Sequence, residues 1–253
     1  MSGIERLAEV VSRLRGPDGC PWDRKQTLET LSANLLEEAH EVLSAIRAGD
    51  RDALRTELGD LTFVILLLAR VTEEHDGTTM TAIADATAEK MIGRHPHVFG
   101  EATTAPDWEA EKLNAEPERT SRLDGVPDTL PALHRAQRIS QRAATLGFDW
   151  PDIAGVRAKV DEEIAELDEV CDGPIERQME EFGDLLFTMA NWGRKLNLST
   201  EDALHAATQK FERRFRALED ALRTTHGEKY MPGPEELNQI WEDIKKRESS
   251  CSD

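Results

Sequence analysis

Apolar side chains recur along this chain with the spacing of an α-helix, while the alternation typical of β-strands is hard to find. One stripe of apolar residues, three or four positions apart, ends at Gly16-Pro17 and comprises Ile4, Leu7, Val10, Val11 and Leu14. A similar stripe ends at Gly147 and comprises Leu133, Ala136, Ile139, Ala143 and Leu146. Side chains at these spacings share one helical face. The pattern therefore predicts an all-α fold.

A helical hairpin is predicted in each half of the chain. In the first half, Ala48-Gly49-Asp50 is placed to end one helix and to cap the next. In the second half, Asp172-Gly173-Pro174 plays the same part, with proline in the opening turn of the following helix. The apolar runs 61–69 and 185–190 predict helices buried on nearly all sides.

The same pattern of acidic residues occurs in both predicted hairpins. The first copy consists of Glu37, Glu38, Glu41, Glu57 and Asp60, and the second of Glu162, Glu163, Glu166, Glu180, Glu181 and Asp184. In both halves a Lys-x-x-x-Arg pair and then a Trp-x-x-x-Lys pair follow. A shared order of so many features indicates an internal duplication of one helical module.

A short turn makes the two helices of a hairpin antiparallel neighbours, so their acidic faces can meet. Carboxylates grouped without cysteine or histidine suit Mg²⁺, with Mn²⁺ as a substitute. The alternative is a solvated acidic face, but each second cluster leads into an apolar helix, where an uncompensated carboxylate is costly. A di-iron site would need the Glu37-x-x-His40 unit on a second helix, and Ala165 replaces that histidine.

The basic and aromatic pairs point to a nucleotide. Lys210 and Arg214 project from one helical face and suit a polyphosphate, and Trp241 with Lys245 has the same spacing and a ring that can stack on a base. Solubility and packing are ordinary explanations for each pair, and recurrence in both halves favours binding. The first-half counterparts are Lys90, Arg94, Trp108 and Lys112. His95 and His97 have no second-half counterpart, so a metal role and a packing role stay open.

Composition narrows the functional classes. The 253 residues carry a formal net charge of −19, which argues against a nucleic-acid polymer and an anionic membrane as partners. Three scattered cysteines fit a reducing compartment. No signal peptide is visible and the longest apolar stretch is too short to cross a bilayer, so a cytoplasmic location is expected.

These residues resemble the MazG family of nucleoside triphosphate pyrophosphohydrolases. Besides the duplicated Glu-Glu-x-x-Glu and Glu-x-x-Asp pattern, the matching segments are residues 19–23, 94–99, 130–133, 147–150 and 210–215. The resemblance implies two tandem all-α modules, 1–115 and 131–253, joined by a linker at 116–130. It also implies Mg²⁺-dependent hydrolysis of NTPs and dNTPs to the monophosphate and pyrophosphate, and a homodimer.

Residue roles also follow from the resemblance. The implied metal ligands are Glu163, Glu166, Glu181 and Asp184, with a second possible site at Glu38, Glu41, Glu57 and Asp60. Glu162 would orient or deprotonate the attacking water. The implied substrate contacts are Lys159, Glu180, Lys210, Arg214, Trp241 and Lys245. Lys159 corresponds to Asn34 in the first half, so we expect the second half to hold the main active site.

Two other functions remain open from the sequence. One is a non-catalytic helical protein that binds partners through its acidic surface. The other is a specialised dUTP, dCTP or phosphoribosyl-ATP pyrophosphatase. The tandem duplication and the segments at 147–150 and 210–215 favour the MazG family over these enzymes.

Overall fold

The protein is described by a computed structural model that covers residues 2–101, 104, 120–227 and 230–250. Within these residues there are ten α-helices and no β-strand, which confirms the predicted all-α fold. The chain divides into two compact units, Met1–Trp108 and Glu109–Asp253. The module limits at 115 and 131 stay a prediction, since the start of the expected linker lies outside the described residues.

The first unit is built around an antiparallel hairpin. Its helices are α1 (Gly3–Arg15), α2 (Leu28–Ala48), α3 (Arg51–Asp76), α4 (Met80–Arg94) and α5 (Pro96–Phe99). Helix α2 packs along α3, and α1 and α4 also contact α3. The hairpin that carries the first acidic pattern is therefore the centre of its unit.

The second unit repeats this plan. Its helices are α6 (Ala132–Ala144), α7 (Ile153–Val170), α8 (Ile175–Lys195), α9 (Thr200–His226) and α10 (Pro234–Ser250). Helix α7 packs along α8, α6 packs on α8, and α9 contacts α10, α6 and α8. The stripe that starts at Leu133 ends as a helix at Ala144, before Gly147.

The two hairpin turns differ in detail. Gly49 has a φ of 67°, a left-handed conformation that glycine adopts without strain, and the Asp50 carboxylate accepts from the backbone N–H groups of the next helix. This confirms the predicted end and cap. In the second turn, Gly173 is not left-handed and Pro174 directly precedes α8 as its N-cap. The second turn therefore ends its helix without the glycine cap that the sequence predicted.

Burial of the two apolar runs differs as well. In α3, Leu66 and Leu67 enter a core with Val11 and Leu31, although Ile65 remains 40% exposed. In α8, by contrast, Ala190 is buried and Leu185 half-buried, but the larger side chains stay open, with Leu186 at 43%, Phe187 at 40% and Met189 at 42% exposure. The prediction of a helix buried on nearly all sides is wrong for α8. Helices α6, α7 and α9 all contact α8, but within the described part of the unit they leave these large apolar side chains uncovered.

No helix among the described residues is long and apolar enough to span a membrane.

Candidate metal centre

Three acids of the second unit converge between α7 and α8. Glu163 comes from α7, and Glu181 and Asp184 come from one face of α8, three residues apart. One carboxylate oxygen of each lies within 4.8 Å of the others. Glu163 is 4% exposed and Glu181 is 7% exposed, whereas Asp184 is open to solvent. The cluster is thus buried at its base and open at its rim, as an approachable cation site must be.

Two cations accompany this cluster. Lys159 Nζ lies 2.7 Å from Glu162 Oε1 and 2.9 Å from Glu163 Oε1. Its hydrogen bonds to these two carboxylates raise the pKa of Lys159 above its usual value, and the bond to Glu162 has the larger effect. On α8, Arg177 Nη2 lies 2.7 Å from Glu181 Oε1 and also pairs with Glu180. Each buried acid therefore has one oxygen held by a cation on its own helix.

The remaining oxygen of Glu163 shows that the site suits a cation. Glu163 Oε2 is buried and has no hydrogen-bond partner. A buried carboxylate oxygen without a partner is costly, and a bound ion relieves that cost. The donors are all oxygens, which is the ligand set of Mg²⁺ and Mn²⁺. The residues present therefore fit a hard divalent cation.

Glu166, the fourth predicted ligand, lies outside the group of three. It is half-buried one turn along α7 from Glu163. Loss of hydration raises the pKa of Glu166, and repulsion from Glu163 acts in the same direction although Lys159 opposes it. Glu166 therefore lies at the edge of the cluster and interacts electrostatically with it.

The first unit has a more exposed version of this site. One oxygen each of Glu38, Glu41 and Glu57 lies within 4.8 Å of the others, and Glu38 Oε2 is buried without a hydrogen-bond partner. Loss of hydration, followed by repulsion from Glu41 and Asp60, raises the pKa of Glu38. Asp60, the fourth predicted ligand, is outside the group of three but close enough to act on Glu38.

Four of the six predicted substrate contacts lie on α9 and α10. The ring of Trp241 lies 5.4 Å from that of Phe211, which is next to Lys210 in the chain. Lys210 is exposed, whereas Arg214 donates to Glu248 at 2.7 Å. Lys245 pairs with Glu242 one turn earlier. In the described part of the second unit, no hydrogen bond or ion pair joins Lys210 or Arg214 to the acids of α7 and α8.

The first-unit counterparts are only partly described. Lys90 is exposed on α4 and Arg94 is half-buried at its end, whereas Trp108 and Lys112 lie outside the described residues. Nδ1 of His95 lies 2.6 Å from the carbonyl oxygen of Met91, which can only accept, and the His95 ring centroid is 5.7 Å from that of His97. That ring nitrogen of His95 is therefore engaged by the end of α4.

Comparison with known proteins identifies the family. The sequence model of the MazG nucleotide pyrophosphohydrolase domain matches residues 26–99, which include the first acidic hairpin. The chain is also 39% identical to the nucleoside triphosphate pyrophosphohydrolase of Escherichia coli K12, over 98% of this chain and 99% of that relative. This chain belongs to the MazG family. A second MazG relative, the nucleoside triphosphate pyrophosphohydrolase/pyrophosphatase MazG of Thermotoga maritima, is 38% identical over 96% of this chain and 95% of its own length.

Three ion pairs of this MazG chain, one at Glu181 and two at Asp149, were not predicted from the sequence. Arg177 precedes Glu181 by four residues, the same spacing as Lys159 to Glu163, so its local signal was present. Asp149 is held by Arg194 and by Lys195, whose Nζ is 2.8 Å away, and this pins the segment 147–150 to the end of α8. These cations lie far along the chain from Asp149, so no local pattern could have found those pairs.

Proposed function

We propose that this MazG-family chain is a Mg²⁺-dependent nucleoside triphosphate pyrophosphohydrolase that converts NTPs and dNTPs to the monophosphate and pyrophosphate. The observation that carries this proposal is the buried acid cluster of Glu163, Glu181 and Asp184, with an oxygen of Glu163 left without a partner. Relatives that align along nearly the whole chain carry the name of this activity. Mn²⁺ is the expected substitute, because it accepts the same oxygen ligands.

Glu163, Glu181 and Asp184 would hold the cation, with Glu166 as the fourth ligand at the edge. A divalent ion held there supplies positive charge to phosphate oxygens and lowers the pKa of a bound water. Glu162 is the proposed base that orients or deprotonates the attacking water. Its carboxylate is exposed and fixed by Lys159 at 2.7 Å, so it is both reachable and oriented.

The substrate contacts are proposed from α7 to α10. Lys210 and Arg214 would offset the charge of the departing pyrophosphate, for which Arg214 must share or exchange its bond to Glu248. Trp241 would stack on the base, and its contact with Phe211 holds its ring in place. The remaining proposed contacts are Lys159, Glu180 and Lys245.

We propose that the second unit holds the main active site and that the acids of the first unit form a second possible metal site. The support is the difference in cations, since Asn34 and Ala53 stand where the second unit has Lys159 and Arg177. The first cluster therefore offers acids without the lysine that the second cluster places beside its proposed base.

A homodimer is proposed from the uncovered apolar face of α8. Its side chains are more than 40% exposed and comprise Phe182, Leu186 and Met189, which recur three or four residues apart. Contiguous exposed apolar side chains of this kind mark protein interfaces. A second copy of the chain is the proposed occupant. A cytoplasmic location, and the lack of a nucleic-acid or membrane partner, stay predictions from the sequence.

Pyrophosphate release from a panel of NTPs and dNTPs, measured in Mg²⁺, in Mn²⁺ and with EDTA, tests the proposed function. We expect product with several bases and none after chelation. A purely binding protein would give no product under any condition, and this result would refute the proposal. Product from dUTP or dCTP alone would replace it with the specialised enzyme.

A further inference from the structure

The two helices of the second-unit hairpin carry the same local unit. On each helix a cation precedes a buried acid by four residues and holds its Oε1, as Lys159 does for Glu163 at 2.9 Å and Arg177 for Glu181 at 2.7 Å. Each cation also pairs with the acid just before the buried one. The repetition on two antiparallel helices places one positive charge on either side of the same cluster.

This arrangement offsets a specific electrostatic problem. Glu163 and Glu181 are 4% and 7% exposed, and their oxygens lie within 4.8 Å of one another and of Asp184. Carboxylates this close repel unless a positive charge is near. The side chain of Arg177 is 53% exposed while that of Glu181 is 10% exposed, so the guanidinium reaches a buried oxygen from the solvent side.

The first unit provides a natural contrast, because it groups three acids in the same place but has Asn34 and Ala53 at the positions of the two cations. Helix propensity does not require an arginine here, since alanine occupies the same position in the first hairpin. The cations therefore belong to the cluster and not to the hairpin as such.

We infer that Arg177 is a positioning residue that holds Glu181 and compensates its charge until a divalent cation enters, so that the cation and Arg177 compete for the same acids. The inference rests on the proposed function of this cluster as a metal site. Glu181 lies on a packed helix, so without Arg177 its backbone stays in place, while its carboxylate loses both a hydrogen-bond donor and the compensating positive charge.

The consequence runs opposite to that of an ordinary structural defect. Without Arg177 the cluster should bind a divalent cation more tightly, because the positively charged guanidinium no longer repels the ion. The gain should be only about three- to tenfold, because the half-exposed guanidinium is well screened by solvent. The metal-free protein should melt at a lower temperature, because the charges of Glu163 and Glu181 then repel with less compensation. Saturating cation should restore the melting temperature.

The test measures Mn²⁺ binding to the full chain by electron paramagnetic resonance of the unbound ion, together with melting temperature in EDTA and in saturating Mn²⁺. All proteins carry Glu38→Gln to weaken any contribution of the first cluster. Arg177→Ala removes the charge and Arg177→Lys keeps it. Arg216→Ala is the matched control, because Arg216 pairs with Glu212 at 3.1 Å with the same four-residue spacing on α9.

We expect tighter Mn²⁺ binding and cation-dependent recovery of stability only for Arg177→Ala. Unchanged or weaker binding in Arg177→Ala, or equal tightening in Arg177→Lys, would overturn the inference while leaving the metal site intact. If Glu163→Gln left Mn²⁺ binding of the parent protein unchanged, this result would instead refute the proposed metal site itself. The two failures are therefore distinguishable.

Discussion

Replacement of Glu163 by glutamine separates a metal ligand from an ordinary buried acid. The change keeps the shape of a side chain that is 4% exposed and removes one negative charge. The amide oxygen can accept from Lys159, whose Nζ is 2.9 Å from Oε1, and this turns the amide NH₂ toward the place of the partnerless Oε2. The donor that we assign to the cation is then lost.

The expected magnitudes differ with and without metal. In metal-free protein, the lost attraction to Lys159 and the relieved repulsion from Glu181 and Asp184 are each about 1 kcal/mol with water-like screening, and they oppose one another. The free energy of unfolding should therefore change by less than about 1 kcal/mol. Beside a divalent ion, loss of the ligand charge weakens the interaction by about 3 kcal/mol or more, and activity should fall at least about a hundredfold.

Pyrophosphate release from dNTPs and urea unfolding in EDTA measure the two effects, with Glu38→Gln as the matched change in the first unit. We expect Glu163→Gln to lose activity at nearly unchanged metal-free stability and Glu38→Gln to keep most of its activity. An active Glu163→Gln protein, or a chain inactivated by Glu38→Gln alone, would refute the assignment of the main site to the second unit.

Three further predictions follow from particular side chains. Leu186→Asp, on the uncovered face of α8, should convert the dimer to monomer in light scattering, and a native mass would contradict the proposed interface. Burial raises the pKa of Asp149, but the hydrogen bonds from Arg194 and Lys195 together outweigh it and lower that pKa. This carboxylate therefore stabilises the fold above its unfolded pKa of about 3.9 and loses that effect as pH falls. Asp149→Asn should therefore lower the unfolding free energy by about 1–3 kcal/mol at neutral pH and flatten its decline in acid, and an unchanged acid profile would contradict this. Trp241→Leu should raise KM about tenfold for every base while kcat changes little, as loss of stacking requires, whereas an unchanged KM would place the base elsewhere.

Local sequence rules predicted much of the fold because the relevant interactions are local. Helix α1 carries its apolar stripe and ends at Arg15 with Gly16 as its C-cap. Asp50 caps α3 after Gly49, because helix capping depends on residues a few positions apart. The spacing of Glu181 and Asp184 similarly places both on one face of α8. Arg177, four residues before Glu181, had the same kind of local signal, but the sequence analysis did not predict its contact with the cluster.

The burial of α8 could not be derived in the same way. Its run of Leu186, Phe187 and Met189 has the composition of a core helix, yet these side chains are 40–43% exposed in the single chain. An apolar composition indicates that a helix face will be buried, but it does not indicate whether the same chain or a second chain buries it. That depends on how α6 and α7 pack against α8.

The sequence by itself determined the all-α class, the duplicated acidic hairpin and the family, since each rests on residues close in the chain or on an ordered set of motifs. Tertiary structure alone decided which acids converge, bringing Glu163 to Glu181 and Asp184 while leaving Glu166 at the edge. It also decided that Asp149 is held by Arg194 across 45 positions. The physical reason is that helix periodicity fixes which face a side chain occupies, whereas packing between helices fixes which faces meet.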